Sequence, residues 1–168
     1  MQTVRVRLQP ATAEDAAELT RMRQAVSRRL RQDFGDGFWV GKPTERAALC
    51  DIRNCDVYIA RYRGRLIASL ALQWKKPWAI DRSSLTPGRK SLFLTRMAVD
   101  PSYQRQGVGR QCLDEARRIA KEQKAESICL DAFDCPAGAG PFYAKCGFRE
   151  LGRAPYRTIP HIYYEAIL

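Results

Sequence analysis

The chain has 168 residues and a formal net charge of +11, with 29 Lys and Arg against 18 Asp and Glu. That length predicts a single domain over residues 1–168, and a hydrophobic fraction of 45% supports a sizeable core without disulfides or metal. The composition argues against disorder, and the most apolar stretch, Leu66 to Leu72, is too short for a membrane span of ~20 residues. Arg5 and Arg7 interrupt the N-terminus, so no secretory signal is predicted.

The first half of the chain predicts a strand, two helices and a hairpin. Alternation of apolar and polar residues, helical spacing and a turn at Arg63-Gly64 indicate these elements. Thr12, with Asp15 three residues later, has the spacing of a helix-capping pair, and Arg23 is an exception in the apolar stripe that follows. The predicted elements are a strand over 4–8, helices over about 13–30 and 44–52, and strands over 57–61 and 66–74.

The second half predicts further strands around one long helix, after an irregular connection. Residues 75–90 contain Pro77 and Pro87, which disfavour regular structure. One face of the long helix is apolar, which is typical of an amphipathic helix. The predicted elements are strands over 91–99, 127–133, 148–152 and 162–167, a helix over 107–123 and a helical turn over 142–145. This order predicts a mixed α/β sheet domain.

Positive charge is concentrated in the middle of the chain. Residues 51–100 hold ten Lys and Arg against four Asp and Glu, whereas residues 101–150 hold eight against seven. The excess fits an anionic partner, either nucleic acid or a phosphorylated small molecule, and fits a solvated basic face equally well. Because no aromatic RNA-binding signature accompanies the charge, nucleic acid is not the favoured partner.

The six cysteines and the single histidine, His161, give little support to a metal site. No two cysteines are spaced as C-x-x-C, a spacing common among structural zinc sites. Cys112 lies on the apolar face of the long helix and Cys129 in a predicted strand, where buried free thiols are common. We therefore expect no metal and a reducing, cytoplasmic compartment.

The segment Met97–Arg110 carries the strongest functional signal. A strand and a short loop precede Gly107 and Gly109, which open the long helix. Glycines at a helix start let the backbone approach a ligand, and the N–H groups of the first turn attract phosphate. Arg105 and Arg110 can add charge-assisted hydrogen bonds.

Two common nucleotide-binding motifs do not fit this pair of glycines. A dinucleotide-binding G-x-G-x-x-G would need a glycine at Cys112, and a Walker A loop would need a G-K-[ST] sequence that is absent. Taken alone, a G-x-G sequence also fits a helix start whose glycines only permit tight packing.

With its surroundings, the segment resembles motif A of the GNAT N-acetyltransferases. The matching residues are Arg96-Met97-Ala98-Val99-Asp100-Pro101, then Gln104-x-x-Gly107-x-Gly109, in the family's pattern of an apolar strand before [QR]-x-x-G-x-[GA]. A second family signature resembles Phe142-Tyr143-Ala144-Lys145-Cys146-Gly147-Phe148. The order of predicted elements agrees over nearly the whole chain. The resemblance implies a mixed sheet of six to seven strands, flanked by helices and splayed between strands 91–99 and 127–133.

The resemblance implies acetyl-CoA as co-substrate. The pantetheine arm would pair with the backbone of Met97, Ala98 and Val99, and a β-bulge near Arg96 to Ala98 would aim one N–H at the thioester carbonyl. The pyrophosphate would be held by the residues at the helix start, which are Gln104, Arg105, Gln106, Gly107, Val108, Gly109 and Arg110.

The chain departs from the family pattern at Pro136, where many members have an asparagine that binds the cofactor arm. Gly138 and Gly140 follow in a glycine-rich turn. We expect these glycines to allow a close approach of backbone or cofactor, and Asp134 to supply the missing polar contact.

The implied reaction is direct attack of a primary amine on the thioester in a ternary complex. An alkylammonium with a pKa near 10.4 is neutral only about one part in 10³–10⁴ at pH 7, so its proton must be removed. Tyr143 matches the family's tyrosine and is predicted to protonate the leaving thiolate as general acid. Several residues stay open as the general base, namely Asp131, Asp134, Asp81 and His161.

The acceptor site is expected in the variable segments of the chain. Phe38, Trp39, Trp78 and Asp81 are predicted to bind substrate, because clustered aromatics favour an amphipathic pocket, although core filling or a dimer contact would use the same residues. The expected partner is a small-molecule or peptide amine, and a homodimer stays open. The alternative function is a non-catalytic acyl-CoA-binding sensor of the same fold.

Overall fold

The computed structural model describes residues 4–168, whose strands form a mixed sheet in the order β1-β2-β3-β4-β5-β7-β6. The strands are β1 Leu8–Pro10, β2 Asp56–Tyr62, β3 Arg65–Gln73, β4 Ser91–Val99, β5 Ser127–Phe133, β6 Arg149–Tyr156 and β7 Ile159–Ile167. The α-helices are α1 Ala16–Phe34, α2 Glu45–Asn54, α3 Val108–Glu122 and α4 Gly140–Lys145. The mixed α/β fold and its number of strands are therefore as predicted.

The pairing of β4 with β5 is parallel, and its register covers few residues. Ser91 lies opposite Ser127, Leu92 opposite Ile128, and Phe93 opposite Cys129. Both strands continue beyond these pairs, β4 to Val99 and β5 to Phe133. The bounds of both strands, Ser91–Val99 and Ser127–Phe133, agree with the sequence prediction.

The strand predicted over residues 4–8 is wrong for most of its length. Val4, Val6 and Leu8 are buried, as the alternation predicts, yet β1 begins only at Leu8. A side chain takes the place of a neighbouring strand: the Val6 N–H donates to Gln111 Oε1 at 2.9 Å, and Gln111 Nε2 donates to the Val4 carbonyl at 2.9 Å. Alternation therefore reports burial here and not strand pairing.

The predicted ends of α1 and of the last two strands also differ from the structure. A 3₁₀ turn over Ala13–Asp15 precedes α1, which runs past Leu30 to Phe34. The prediction ended this helix too early because its last turn is exposed and lacks an apolar pattern. Strand β6 extends to Tyr156, beyond the predicted residue 152. The prediction stopped too early because β6 is an edge strand whose residues are exposed or half-buried, so that they lack a clear apolar alternation.

The chain divides into two compact units. The first holds the described residues up to Leu72 together with Arg96–Ala116. Its core joins the two helices α1 and α2 to the β2–β3 hairpin through buried apolar side chains, which are Ala16, Leu19, Met22, Ala48, Val57, Ile59, Leu66 and Ala71. The hairpin turns at Arg63 and Gly64, whose φ angles of 50° and 79° are those of a tight turn that follows the twist of the strands.

The second unit holds Gln73–Thr95 and Arg117–Leu168. Its main polar feature is Glu165, which lies on β7 and is 1% exposed. Thr86 Oγ1 donates to Glu165 Oε2 at 2.8 Å, and the guanidinium nitrogens of Arg89 and Arg149 lie 3.8 and 3.6 Å from its carboxylate oxygens. Glu165 thus ties the long connection before β4 and the start of β6 to the last strand.

We expect Glu165→Gln to lower the free energy of unfolding by about 1–3 kcal/mol, because Arg89 and Arg149 would lose the charge that they face. Urea denaturation would measure the change. Glu122→Gln is the matched control, since its pair with Arg118 is at the surface and contributes little. Equal stability of the two variants would contradict an anchoring role for Glu165.

Candidate functional site

Strand β4 contains a left-handed residue near its end. Arg96 has a φ of 55°, a conformation that costs a non-glycine residue roughly 1–2 kcal/mol. Its Nε lies 2.8 Å from Asp51 Oδ1, and Arg23 Nη1 lies 2.8 Å from Asp51 Oδ2. The carboxylate of α2 therefore binds two guanidinium groups and holds the irregular backbone of β4 in place. The bulge predicted near Arg96 to Ala98 would fall in this segment and stays a prediction.

Asp100 fixes the direction of the chain after β4. It is 4% exposed, and its N–H donates to the Ile67 carbonyl of β3 at 2.8 Å. Its Oδ1 accepts from the Ser102 N–H at 2.9 Å, and its Oδ2 accepts from Arg65 Nη2 at 2.9 Å. The loop that leads to α3 is consequently anchored by one buried side chain.

The start of α3 is an open, exposed turn. Arg105 and Gly107 have left-handed φ angles of 58° and 79°, and a Cβ on Gly107 would meet nothing within 4 Å. Alternation of left- and right-handed backbone turns successive N–H groups toward one side, and the helix dipole adds positive potential there. With the exposed guanidinium of Arg105 beside it, this turn fits a phosphate group.

The other residues predicted to hold cofactor lie along the same stretch of backbone. Met97, Ala98 and Val99 are half-buried in β4. Gln104 Nε2 donates to the Val99 carbonyl at 3.0 Å, and Gln106 Nε2 donates to the Ser102 carbonyl at 2.8 Å. Both glutamine side chains thus brace the loop. Further on, Val108 is buried, Gly109 is half-buried and Arg110 is exposed.

Gly138 and Gly140 are packed against the protein itself. A Cβ on Gly138 would lie 1.9 Å from the carbonyl oxygen of Phe133, and one on Gly140 would lie 2.6 Å from the hydroxyl oxygen of Tyr164. On the side where a Cβ would lie, the space next to each glycine is therefore filled by atoms of the protein itself. A contact between either glycine and a cofactor stays a prediction.

Tyr143 is buried in the second unit. Its ring packs against Phe148 with centroids 5.7 Å apart and against Tyr164 with centroids 6.3 Å apart. Burial, and then the nearby Asp131 and Cys146, raise the pKa of Tyr143 well above its usual value. The hydroxyl is therefore protonated at physiological pH and holds a proton that it can donate.

The structure brings together two of the residues that were open as general base. His161 Nε2 lies 3.5 Å from Asp131 Oδ2. The other two are occupied elsewhere: Asp134 faces Arg153 at 3.3 Å, and Asp81 caps a 3₁₀ turn by accepting from the Ser83 N–H at 3.0 Å. That backbone hydrogen bond lowers the pKa of Asp81.

The residues predicted to bind the acceptor lie in two different units. Phe38 and Trp39 belong to the first, where their rings meet edge to face with centroids 5.1 Å apart, and Trp39 Nε1 donates to the Gly35 carbonyl at 3.2 Å. Trp78 and Asp81 belong to the second, where Trp78 is 81% exposed. Their role in substrate binding stays a prediction.

Sequence reasoning missed the Arg23–Asp51–Arg96 cluster. One signal was present, because Arg23 interrupts the apolar stripe of α1 and a buried arginine needs a carboxylate. The identity of that carboxylate and its second partner on β4 depend on tertiary packing that spacing does not report.

Two further properties concern the described residues as a whole. Among residues 4–168, no three His, Cys, Asp or Glu side chains are grouped so that they could hold a metal ion. Over the same range, no helix has the length and apolar sequence needed to cross a bilayer.

Residues 53–150, more than half of the chain, match the sequence model of the acetyltransferase (GNAT) domain. The chain therefore belongs to the GNAT acetyltransferase family, and it is an acyltransferase. The resemblance found in motif A is thereby confirmed at the level of the family.

Solved acetyltransferase structures share the fold at low sequence identity. A GNAT-family acetyltransferase from Streptococcus agalactiae has a TM-score of 0.76 and 14% identity, over 97% of this chain and 95% of that chain. The PaiA N-acetyltransferase of Thermoplasma acidophilum, solved with coenzyme A, has a TM-score of 0.72 and 15% identity, over 97% and 100%. The yncA protein of Salmonella typhimurium, solved with acetyl-CoA, has a TM-score of 0.70 and 14% identity, over 98% and 95%.

We expect Gly138→Ala to destabilise the protein without any ligand, by about 1–3 kcal/mol, because the new methyl group would collide with the Phe133 carbonyl. Gly41→Ala is the control, since its Cβ would lie 3.6 Å from Ser27 Oγ, an ordinary contact. Thermal and urea unfolding would measure both. Unchanged stability of Gly138→Ala would contradict the packing role.

Proposed function

We propose that the protein is an acetyl-CoA-dependent N-acetyltransferase, which moves the acetyl group to a primary amine of a small molecule or peptide by direct attack in a ternary complex. The observation that carries this proposal is the open turn at Arg105 and Gly107, directly after the irregular end of β4. The two similar structures that hold coenzyme A or acetyl-CoA support it. Residues 1–168 would act as one GNAT domain.

The residues of the first unit would bind the co-substrate. Backbone groups of Met97, Ala98 and Val99 would hydrogen-bond the pantetheine arm, and the turn from Gln104 to Arg110 would hold the pyrophosphate. When bound, acetyl-CoA supplies an activated acetyl thioester. The N–H groups near Arg96 would polarise its carbonyl, because the ion pairs of Asp51 keep that backbone from relaxing.

Tyr143 would act as the general acid. Its raised pKa keeps the phenol protonated at the pH at which a thiolate must be protonated. Gly138 and Gly140 would allow a close approach between the cofactor and the start of α4, the helix that carries Tyr143. The acceptor would be contacted by Phe38, Trp39, Trp78 and Asp81. All six cysteines of residues 4–168 are free thiols, which supports a reducing cytoplasmic location.

The proposal is tested by incubating the protein with acetyl-CoA and a panel of amines while the release of the CoA thiol is followed. The panel would contain amino acids, polyamines, aminoglycosides, arylamines and peptides with free N-termini. Turnover with at least one amine and identification of the acetylated nitrogen by mass spectrometry are expected. Tight acetyl-CoA binding with no turnover on any amine would overturn the proposal in favour of an acyl-CoA sensor.

We expect Tyr143→Phe to lower kcat about 10²-fold, because the leaving thiolate would lose its proton donor, whereas the affinity for acetyl-CoA should change less than twofold. Tyr62→Phe, in the hairpin of the first unit, is the control with wild-type turnover. Steady-state kinetics and calorimetry would measure the two effects. Wild-type kcat in Tyr143→Phe would exclude this tyrosine as the acid.

A further inference from the structure

Asp131 and His161 form an isolated pair on one face of the sheet. The antiparallel register of β5 and β7 places Asp131 opposite Tyr163 and Phe133 opposite His161, so the pair is diagonal across the two strands. His161 Nε2 lies 3.5 Å from Asp131 Oδ2. The side chain of His161 is 5% exposed and that of Asp131 is 19% exposed. A solute can therefore reach the carboxylate but hardly the imidazole behind it.

The orientation of the imidazole follows from its other nitrogen. Nδ1 lies 2.8 Å from the carbonyl oxygen of Ile159, which can only accept, so Nδ1 carries a proton and donates it. This hydrogen bond directs Nε2 toward Asp131. The ring is further fixed by Phe133, at 5.3 Å between centroids, and by Tyr156, edge to face at 6.3 Å. His161 thus presents one nitrogen to the carboxylate in a fixed position.

Asp131 differs from the other buried carboxylates, because no arginine or lysine within residues 4–168 pairs with it. Asp51 binds Arg23 and Arg96, and Glu165 faces Arg89, so these carboxylates are neutralised. Burial raises the pKa of Asp131, while the charge of a protonated His161 would oppose that rise. A carboxylate with a raised pKa takes up protons more readily than an ordinary aspartate.

The field of Asp131 reaches the predicted general acid. After burial, the negative charge of Asp131 is the next cause of the raised pKa of Tyr143 on α4 and of Tyr163 on β7. The charge of Asp81 also raises the pKa of Tyr163, whereas a hydrogen bond with the Asp81 backbone lowers it. The titratable groups that interact with Asp131 thus include the phenols of Tyr143 and Tyr163 and the imidazole of His161. The proton-accepting and proton-donating groups therefore belong to one electrostatic cluster.

We infer that Asp131 is the general base that takes the proton from the acceptor ammonium, and that His161 is the residue that positions it. This inference rests on the proposed N-acetyltransferase function. The ammonium would donate to the carboxylate oxygen that does not face His161. One N–H bond breaks, its electron pair remains on the amine nitrogen, and an O–H bond forms on Asp131. The proton then leaves to solvent through the exposed part of the carboxyl group.

The inference narrows the acceptor to amines that are protonated at physiological pH. A cationic ammonium gains from a carboxylate that lacks an arginine or lysine partner, whereas a weakly basic arylamine is already neutral and needs no base. The benefit of Asp131 should therefore depend on the basicity of the acceptor and on the pH.

The test uses Asp131→Asn and an alkylamine that the wild-type protein acetylates in the amine panel. At pH 7 we expect kcat/KM to fall about 10²-fold, because the amide cannot accept the proton. The loss should shrink as the pH rises toward ~10, where the amine is increasingly neutral, and should be small for a weakly basic acceptor. Glu150→Gln, an exposed carboxylate on β6, is the control with wild-type kinetics.

His161→Gln tests the positioning role through the pH profile. Loss of the imidazole removes the charge that a protonated His161 would set against the raised pKa of Asp131, so the acidic limb of kcat/KM should move to higher pH. Asp131→Glu, which keeps a carboxylate, should recover part of the activity lost in Asp131→Asn. Melting temperature and acetyl-CoA affinity are measured for every variant, so that misfolding is recognised.

The outcomes separate two kinds of failure. If the wild-type protein acetylates no amine, the proposed function fails and the inference falls with it. If the wild type is active but Asp131→Asn keeps its activity, or loses it equally at every pH, only the inference is overturned. If Asp131→Asn does not fold, Asp131→Glu and His161→Gln decide, and an unchanged acidic limb in both overturns the assignment.

Discussion

The irregular end of β4 depends on the ion pairs that the carboxylate of Asp51 forms. A left-handed arginine inside a strand is unfavourable, and the ion pair from Asp51 to Arg96 compensates for that cost while Arg23 neutralises the second oxygen. Helices α1 and α2 and strand β4 thus converge on a single side chain. The backbone that we propose to face the thioester carbonyl is held by this cluster, in which Arg23 and Asp51 belong to the two helices.

Several arginines in the middle of the chain form ion pairs within the fold. Arg61 binds Asp15 and Glu18 at 2.7 and 2.6 Å, and so joins the hairpin to the start of α1. Arg65, Arg89 and Arg96 each face a buried or half-buried carboxylate. Four members of the positive excess in residues 51–100 are therefore internal partners.

Sequence reasoning predicted what depends on local pattern and missed what depends on tertiary register. The largely apolar segments predicted the bounds of β4 and β5, and the resemblance to motif A predicted the family that the domain match shows. The alternation in residues 4–8 wrongly predicted a strand, because the side chain of Gln111 on α3 takes the place of a neighbouring strand. The pairing of Asp131 with His161 depends on the β5–β7 register, which joins two strands that are separated along the chain by α4 and β6.

The side chain of Gln111 has a consequence for the solubility of the protein. A sheet edge with free N–H and C=O groups can template pairing with another chain. At the β1 edge the ladder is only three residues long, and Gln111 and Glu115 occupy backbone groups of Val4, Val6 and Leu8. Two polar side chains of the amphipathic helix α3 thereby cover a sheet edge that would otherwise favour association between copies of the chain.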